Sequence, residues 1–171
     1  IKGLCAQKIE KYKLKGIKPS IRTMIVGVPN CGKSTLVNNL CKKAKAVTGN
    51  KAGVTKHGLW LPIGDCIEVY DTPGTLYPNI SDQEVAKKLA YVGSVRDEIL
   101  DFGELAYELI KLLNKLYPTA VENRYNGAKT LEDIALVRKY VLQGGEVDYD
   151  RTAKIIVDDF RKGRLGKITS D

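Results

Sequence analysis

The sequence is poor in residues that build covalent or metal frameworks. Its 171 residues include four cysteines and one histidine. Cys5, Cys31, Cys41 and Cys66 form no CxxC pair, which argues against a zinc site or a disulfide scaffold. No apolar run approaches the ~20 residues of a membrane span, so no membrane partner is expected. No leader-like segment is visible, and with free thiols a cytoplasmic setting is expected. Repeats and low-complexity stretches are missing. Charged residues make up 28% and apolar residues 43%, the balance of a globular chain rather than a disordered one. A chain of this length buries about 70% of its unfolded surface, enough for a real core.

Acid is scarce in the first third. Residues 1–57 carry 13 Lys/Arg against Glu10 alone, whereas residues 58–171 carry 15 Lys/Arg against 19 acids. A strongly basic segment suits a polyphosphate such as RNA. The alternative is a solvating surface that balances the acidic remainder.

The most specific stretch is Gly27-Val28-Pro29-Asn30-Cys31-Gly32-Lys33-Ser34-Thr35. It fits the phosphate-binding pattern G-x-x-x-x-G-K-[ST]. The apolar run Ile21–Val26 precedes it and a helical pattern through Leu40 follows, which is the strand-loop-helix context the pattern needs. Glycines let backbone N–H groups turn in around a phosphate. The helix start adds unpaired donors and partial positive charge. Lys33 is placed to reach the β- and γ-phosphates, and the Ser34 hydroxyl to ligate Mg2+. Pro29 to Thr35 are therefore the expected nucleotide-binding residues.

A second constellation, Asp71-Thr72-Pro73-Gly74, follows the β-like run Ile67–Tyr70. A carboxylate at a strand end holds Mg2+ directly or through water. Gly74 leaves room for its N–H to meet a γ-phosphate. Between the two motifs, Gly53-Val54-Thr55 lies in the basic segment 42–56, expected to be a mobile loop. Thr55 is expected to bring its hydroxyl to Mg2+ and to act as a switch released on hydrolysis. Lys33, Thr55 and Gly74 are the expected catalytic groups.

The rest reads as follows. Residues 1–15 look helical, and Gly16 to Pro19 break that pattern. Runs Leu59–Ile63 and Cys66–Tyr70, joined by Gly64-Asp65, predict a hairpin and so a mixed sheet. Ser81 and Glu84 fit a capping box for a helix to about Val92. Leu105, Leu109, Leu112, Leu113 and Leu116 predict a helix over Phe102–Tyr117 that stops at Pro118. Thr130 opens another to about Leu142, and Tyr149 or Asp150 begins a last one, over Thr152–Lys162. The predicted class is α/β, a P-loop nucleotide domain over 1–98, with an all-helical domain over 99–171.

Loop, threonine and DTPG together resemble a translation-factor-class GTPase. GxPNxGKST resembles the subgroup that includes ribosome-assembly GTPases. The guanine-reading NKxD is missing: Asn114-Lys115-Leu116-Tyr117 has Tyr where Asp is needed. Either the chain does not read guanine, or the motif precedes the phosphate loop in a circularly permuted G domain. Gly144-Gly145-Glu146-Val147-Asp148-Tyr149-Asp150 and Asp159 to Thr169 resemble the C-terminal signature of the ribosome biogenesis GTPase A (YlqF) family, which favours permutation. The resemblance spans about residues 20–170 and implies a partial domain whose N-terminal part, guanine motif included, is missing.

That resemblance implies GTP and GDP as ligands, Mg2+ at Ser34, Thr55 and Asp71, and K+ at Asn30, which is otherwise a turn residue. It implies the large ribosomal subunit and its rRNA as partners, with a monomer off the ribosome. The C-terminal helices would bind rRNA, with Arg151, Lys154, Arg161, Lys162, Arg164 and Lys167 as a basic side suited to phosphates. Thr75 and Leu76 follow Gly74, so no glutamine orients a water and intrinsic hydrolysis is expected to be slow. His57 is expected to be a solvated loop residue. Two other functions stay open: an ATP-dependent P-loop kinase or ATPase, and an RNA-binding module with a vestigial nucleotide site.

Overall fold

The structure is a computed structural model describing residues 1–41, 57–76 and 80–169. It divides into two compact units, Ile1–Tyr77 and Pro78–Asp171. Thr55 and the rest of the basic segment 42–56 lie outside the described residues.

The first unit holds α1 (Ala6–Leu14), β1 (Ile21–Ile25), α2 (Lys33–Cys41), β2 (Leu59–Ile63) and β3 (Ile67–Asp71). The expected hairpin is present: β2 pairs antiparallel with β3, Leu61 opposite Val69. β1 pairs parallel with β3, Ile21 opposite Ile67 and Ile25 opposite Asp71. The sheet is therefore mixed, in the order β1-β3-β2. Alternation puts Leu61 and Val69 on one face, where Val37 of α2 completes a small core. On the other face Trp60 packs on Tyr70, ring centroids 4.9 Å apart, and Arg22 sits over Trp60.

The second unit holds α3 (Gln83–Tyr91), α4 (Phe102–Leu116), α5 (Pro118–Arg124), α6 (Leu131–Arg138) and α7 (Tyr149–Arg161), with a 3-10 turn at Asp97–Ile99. The leucine spacing works as expected: Leu105, Leu109 and Leu113 are buried in one core with Ile134, Ile156 and Val157. Five details differ from the sequence reading. The unit begins at Pro78 rather than 99, because Ala90 and Tyr91 of α3 are buried in the helical core. α3 is capped by Asp82, whose carboxylate accepts from the N–H groups of Glu84 and Val85, in place of the Ser81 box. Pro118 ends α4 but also opens α5 at its first position, where its missing N–H costs nothing. α6 stops at Arg138, with Lys139 in the left-handed region. Beyond it, Val141 bridges Val147 across the Gly144-Gly145 turn.

One buried carboxylate organises α7. Asp159 is 1% exposed and accepts from Arg124 Nε at 2.8 Å, Tyr125 Oη at 3.0 Å and Arg164 at 2.7 Å. Burial opposes its ionisation most strongly. Hydrogen bonds from Arg124, Arg164 and Tyr125 outweigh that and hold the carboxyl below its ordinary value. Burial in turn pushes the Tyr125 phenol up, and the Asp159 charge adds to the effect.

Asp159→Ala is expected to lower helical-unit stability by about 3 kcal/mol, since it strips a buried acceptor from three donors. The depressed native value means ionised Asp159 stabilises the fold above the unfolded value of ~3.9 and loses that contribution as pH falls through the lower folded value. Urea unfolding from pH 7 to pH 2 should show wild type losing this increment only at the acid end, while Asp159→Ala starts low and lacks that part of the pH slope.

Candidate nucleotide site

The site lies where the sheet's parallel pair ends. Loops and helix N-termini gather at the carboxyl ends of parallel strands, the usual position for a ligand in such sheets. β1 runs into the phosphate loop and α2 starts at Lys33. The register puts Asp71 opposite Ile25, two residues before Gly27. Pairing of β1 with β3 thus brings both sequence motifs together.

Inside the loop, the Lys33 ammonium donates to the Gly27 carbonyl at 2.9 Å and the Val28 carbonyl at 2.7 Å. Lys33 is only 8% exposed, so its charge is fixed over the loop rather than free in solvent. Gly32 has φ +88°, and Asn30 has φ +58°, a left-handed conformation that asparagine tolerates better than most residues. These turns curl the backbone of Pro29, Cys31 and Gly32 into a cradle. The Cys31 Sγ lies 3.9 Å from Lys33 Nζ.

Ser34, in the first turn of α2, donates its hydroxyl to Asp71 Oδ2 at 2.7 Å. Asp71 is 1% exposed, and its Oδ1 is buried with no hydrogen-bond partner among the described residues. A buried carboxylate oxygen without a donor costs about 1–3 kcal/mol. A hydroxyl and a carboxylate oxygen side by side form a donor set suited to a hard divalent cation, and the unpartnered Oδ1 fits such a role.

Three contacts that motif reading missed hold the two halves in place. Thr72 Oγ1 donates to the Ile25 carbonyl, tying the end of β3 to the end of β1. Thr75 N–H donates to the Gly27 carbonyl at 3.4 Å. Gly74 lies against Pro29, where a Cβ would come within 2.4 Å of the proline Cα. The signal in the sequence was a glycine in each motif, but nothing there told which glycine meets which residue. His57 is exposed.

The basic residues of the C-terminal unit separate into two groups. Arg161 is turned inward. It donates to the carbonyls of Ala90 at 2.8 Å and Tyr91 at 3.2 Å, and pairs with Asp97 at 3.0 Å. It therefore caps the end of α3 and is not free to contact RNA. Arg151, Lys154, Lys162, Arg164 and Lys167 are exposed. Arg151 lies over the Tyr140 ring at 4.6 Å. Lys162 pairs with Asp158, and Arg164 is shared between Asp158 and Asp159. Asn114, the start of the false guanine motif, donates to the Lys129 carbonyl and is a packing residue of α4.

Fold and site define the class: a P-loop nucleotide-binding α/β unit, followed in sequence by a helical unit. The family model for the 50S ribosome-binding GTPase matches residues 22–130. Ribosome biogenesis GTPase A of Bacillus cereus is 40% identical to this chain, covering 98% of it and 60% of the relative. Two solved structures are similar over 95% of the chain. GDP-bound TM YlqF has a TM-score of 0.64 at 26% identity and is 65% covered, and GNP-bound YlqF from T. maritima has 0.61 at 27% and is 64% covered. The chain belongs to the 50S ribosome-binding GTPase family. It spans about 60% of the length of the curated relatives it matches.

Gly74→Ala should force Pro29 and the DTPG segment apart. The expected loss is about 1–3 kcal/mol in the α/β unit, with the helical unit unchanged. Hydrogen exchange resolved by segment checks both parts of that expectation.

Proposed function

We propose that this chain is the phosphate-binding and particle-binding portion of a GTP-driven assembly factor for the large ribosomal subunit, acting in the cytoplasm. The observation that carries the reading is the joined site: Lys33 over the phosphate loop, Ser34 bonded to Asp71, and Gly74 against Pro29. Family membership and relatives called ribosome biogenesis GTPase A support the guanine nucleotide and the ribosomal partner.

The roles follow from charge. Loop amides and the Lys33 ammonium bind the β- and γ-phosphates and offset charge that builds during transfer. Ser34 and Asp71 would hold Mg2+, with Thr55 completing the set; the ion would supply neutralising charge to the phosphates. Gly74 offers its N–H to the γ-phosphate, so the DTPG segment senses its presence. Asn30 would help hold K+, which would add positive charge against the transferring phosphate. No glutamine follows Gly74, and hydrolysis is slow until a partner accelerates it. Guanine is read by an element other than Asn114–Tyr117, in keeping with a permuted order. Arg151, Lys154, Lys162, Arg164 and Lys167 contact rRNA phosphates.

Lys33→Ala is expected to abolish detectable GTP hydrolysis while the helical unit keeps its thermal transition. Malachite-green phosphate release and circular dichroism check this, and retained turnover would remove the site assignment. Competition with ATP separates the kinase or ATPase reading. Hydrolysis should run faster in KCl than in NaCl, and Asn30→Ala should erase that difference. Equal rates in both salts would take the monovalent ion out of the scheme.

A further inference from the structure

We infer that α1 carries a second RNA-phosphate contact, separate from the nucleotide site and from the basic residues of the helical unit. Residues 1–18 hold six lysines against the single acid Glu10. The helix spacing collects three of them. Lys8, Lys11 and Lys15 fall at i, i+3 and i+7, one strip of helix surface. They line a hollow of about 300 Å³, with Tyr12 as its remaining wall. All three lysines are exposed and Tyr12 is half-buried.

The strip does no visible structural work. α1 has no buried residue, and no salt bridge is made by Lys8, Lys11 or Lys15 among the described residues. Three like charges within two turns repel one another and lower helix stability. A polyanion with charges repeated every few ångströms removes that cost, and its counterions are released on binding. Tyr12, which lines the same hollow, adds an aromatic ring against which an unpaired base or ribose can rest.

An anionic membrane is the competing polyanion. A helix lying in a membrane interface needs a broad apolar face opposite its lysines. Within α1 and at its start the apolar side chains Cys5, Ile9 and Tyr12 are half-buried. Of the large apolar side chains that are exposed, Leu14 is the one inside the helix, while Ile1, Leu4 and Ile17 lie beyond its ends, so no broad apolar face stands opposite the lysines. That pattern favours RNA. The inference goes beyond the GTPase reading and does not need it to be correct.

The test uses the whole chain and a short RNA hairpin with a single-stranded loop, with affinity measured by fluorescence anisotropy across a KCl series. Lys8→Gln/Lys11→Gln/Lys15→Gln should reduce the slope of log Kd against log salt by about two to three, at ~0.7–0.9 for each phosphate no longer neutralised. Binding near 100 mM KCl should weaken on the order of tenfold or more. The triple Lys→Arg variant should keep wild-type binding, which a general folding defect in the Gln variant could not explain. Arg151→Gln/Lys154→Gln serves as the separate arm: its loss should add to that of the α1 variant. An unchanged slope in the Lys→Gln variant overturns the inference, and a lowered slope in the Arg151/Lys154 arm alone would still leave the rRNA role of α7 standing. Lysine-dependent binding to phosphatidylserine vesicles without RNA binding overturns it as well. Wild type that binds GTP but no RNA at low salt removes α1 and α7 together and leaves the nucleotide site intact.

Discussion

Everything chemical in this chain depends on one backbone pairing, the parallel ladder between β1 and β3. The two motifs are about forty residues apart in sequence and do nothing separately. The ladder sets Ile25 beside Asp71, and from that register the rest follows. Ser34, in the first turn of the helix that leaves β1, can reach only a carboxylate placed there. Thr72 then closes onto the Ile25 carbonyl, and Gly74 slides under Pro29. A slip of one residue would turn Asp71 to the opposite face of the sheet. The small core of Val37, Leu61 and Val69 matters for the same reason: it fixes the face, and the face fixes the chemistry.

The helical unit is held by a different device. Its apolar core is generic, but Asp159 and Arg161 give α7 a defined azimuth. Asp159 gathers Arg124, Tyr125 and Arg164 around one carboxylate. Arg161 reaches the carbonyl end of α3 and Asp97. Arginine suits both tasks, because its planar fork serves two carbonyls and a carboxylate at once. Part of the basic tail is therefore consumed in building the fold. What remains outward is a narrower strip, with Arg151 laid over Tyr140.

The sequence was most legible where spacing alone decides the outcome. The phosphate loop, the hairpin and the leucine helix of α4 all rest on short-range periodicity, and each formed as expected. It was less legible where tertiary contact decides. Ala90 and Tyr91 drew α3 into the helical core and moved the unit boundary from 98/99 to 77/78. Asp82 displaced Ser81 as cap because its carboxylate meets two N–H groups from one position. Charge was the least legible property. An arginine in a basic run looks the same whether it faces a phosphate or a buried carbonyl, and only the packing of α3 against α7 tells Arg161 from its neighbours.

Asp71 makes the last step. A fold selected for stability alone would give Oδ1 a donor or replace the residue, since asparagine or threonine satisfies the same space at lower cost. Asp71 Oδ1 is a carboxylate oxygen without a partner among the described residues, in a side chain 1% exposed, in a unit otherwise rich in positive charge. The local rule is broken at one atom, and rule-breaking of this kind concentrates where a structure does work. The anion-binding role proposed for Lys33 and the loop amides does not account for this oxygen. The cation proposed for that point would account for it, because it would turn a destabilising orphan into a ligand, and only with β1 and β3 correctly paired. The unpartnered oxygen thus links the sheet's register to the site's chemistry.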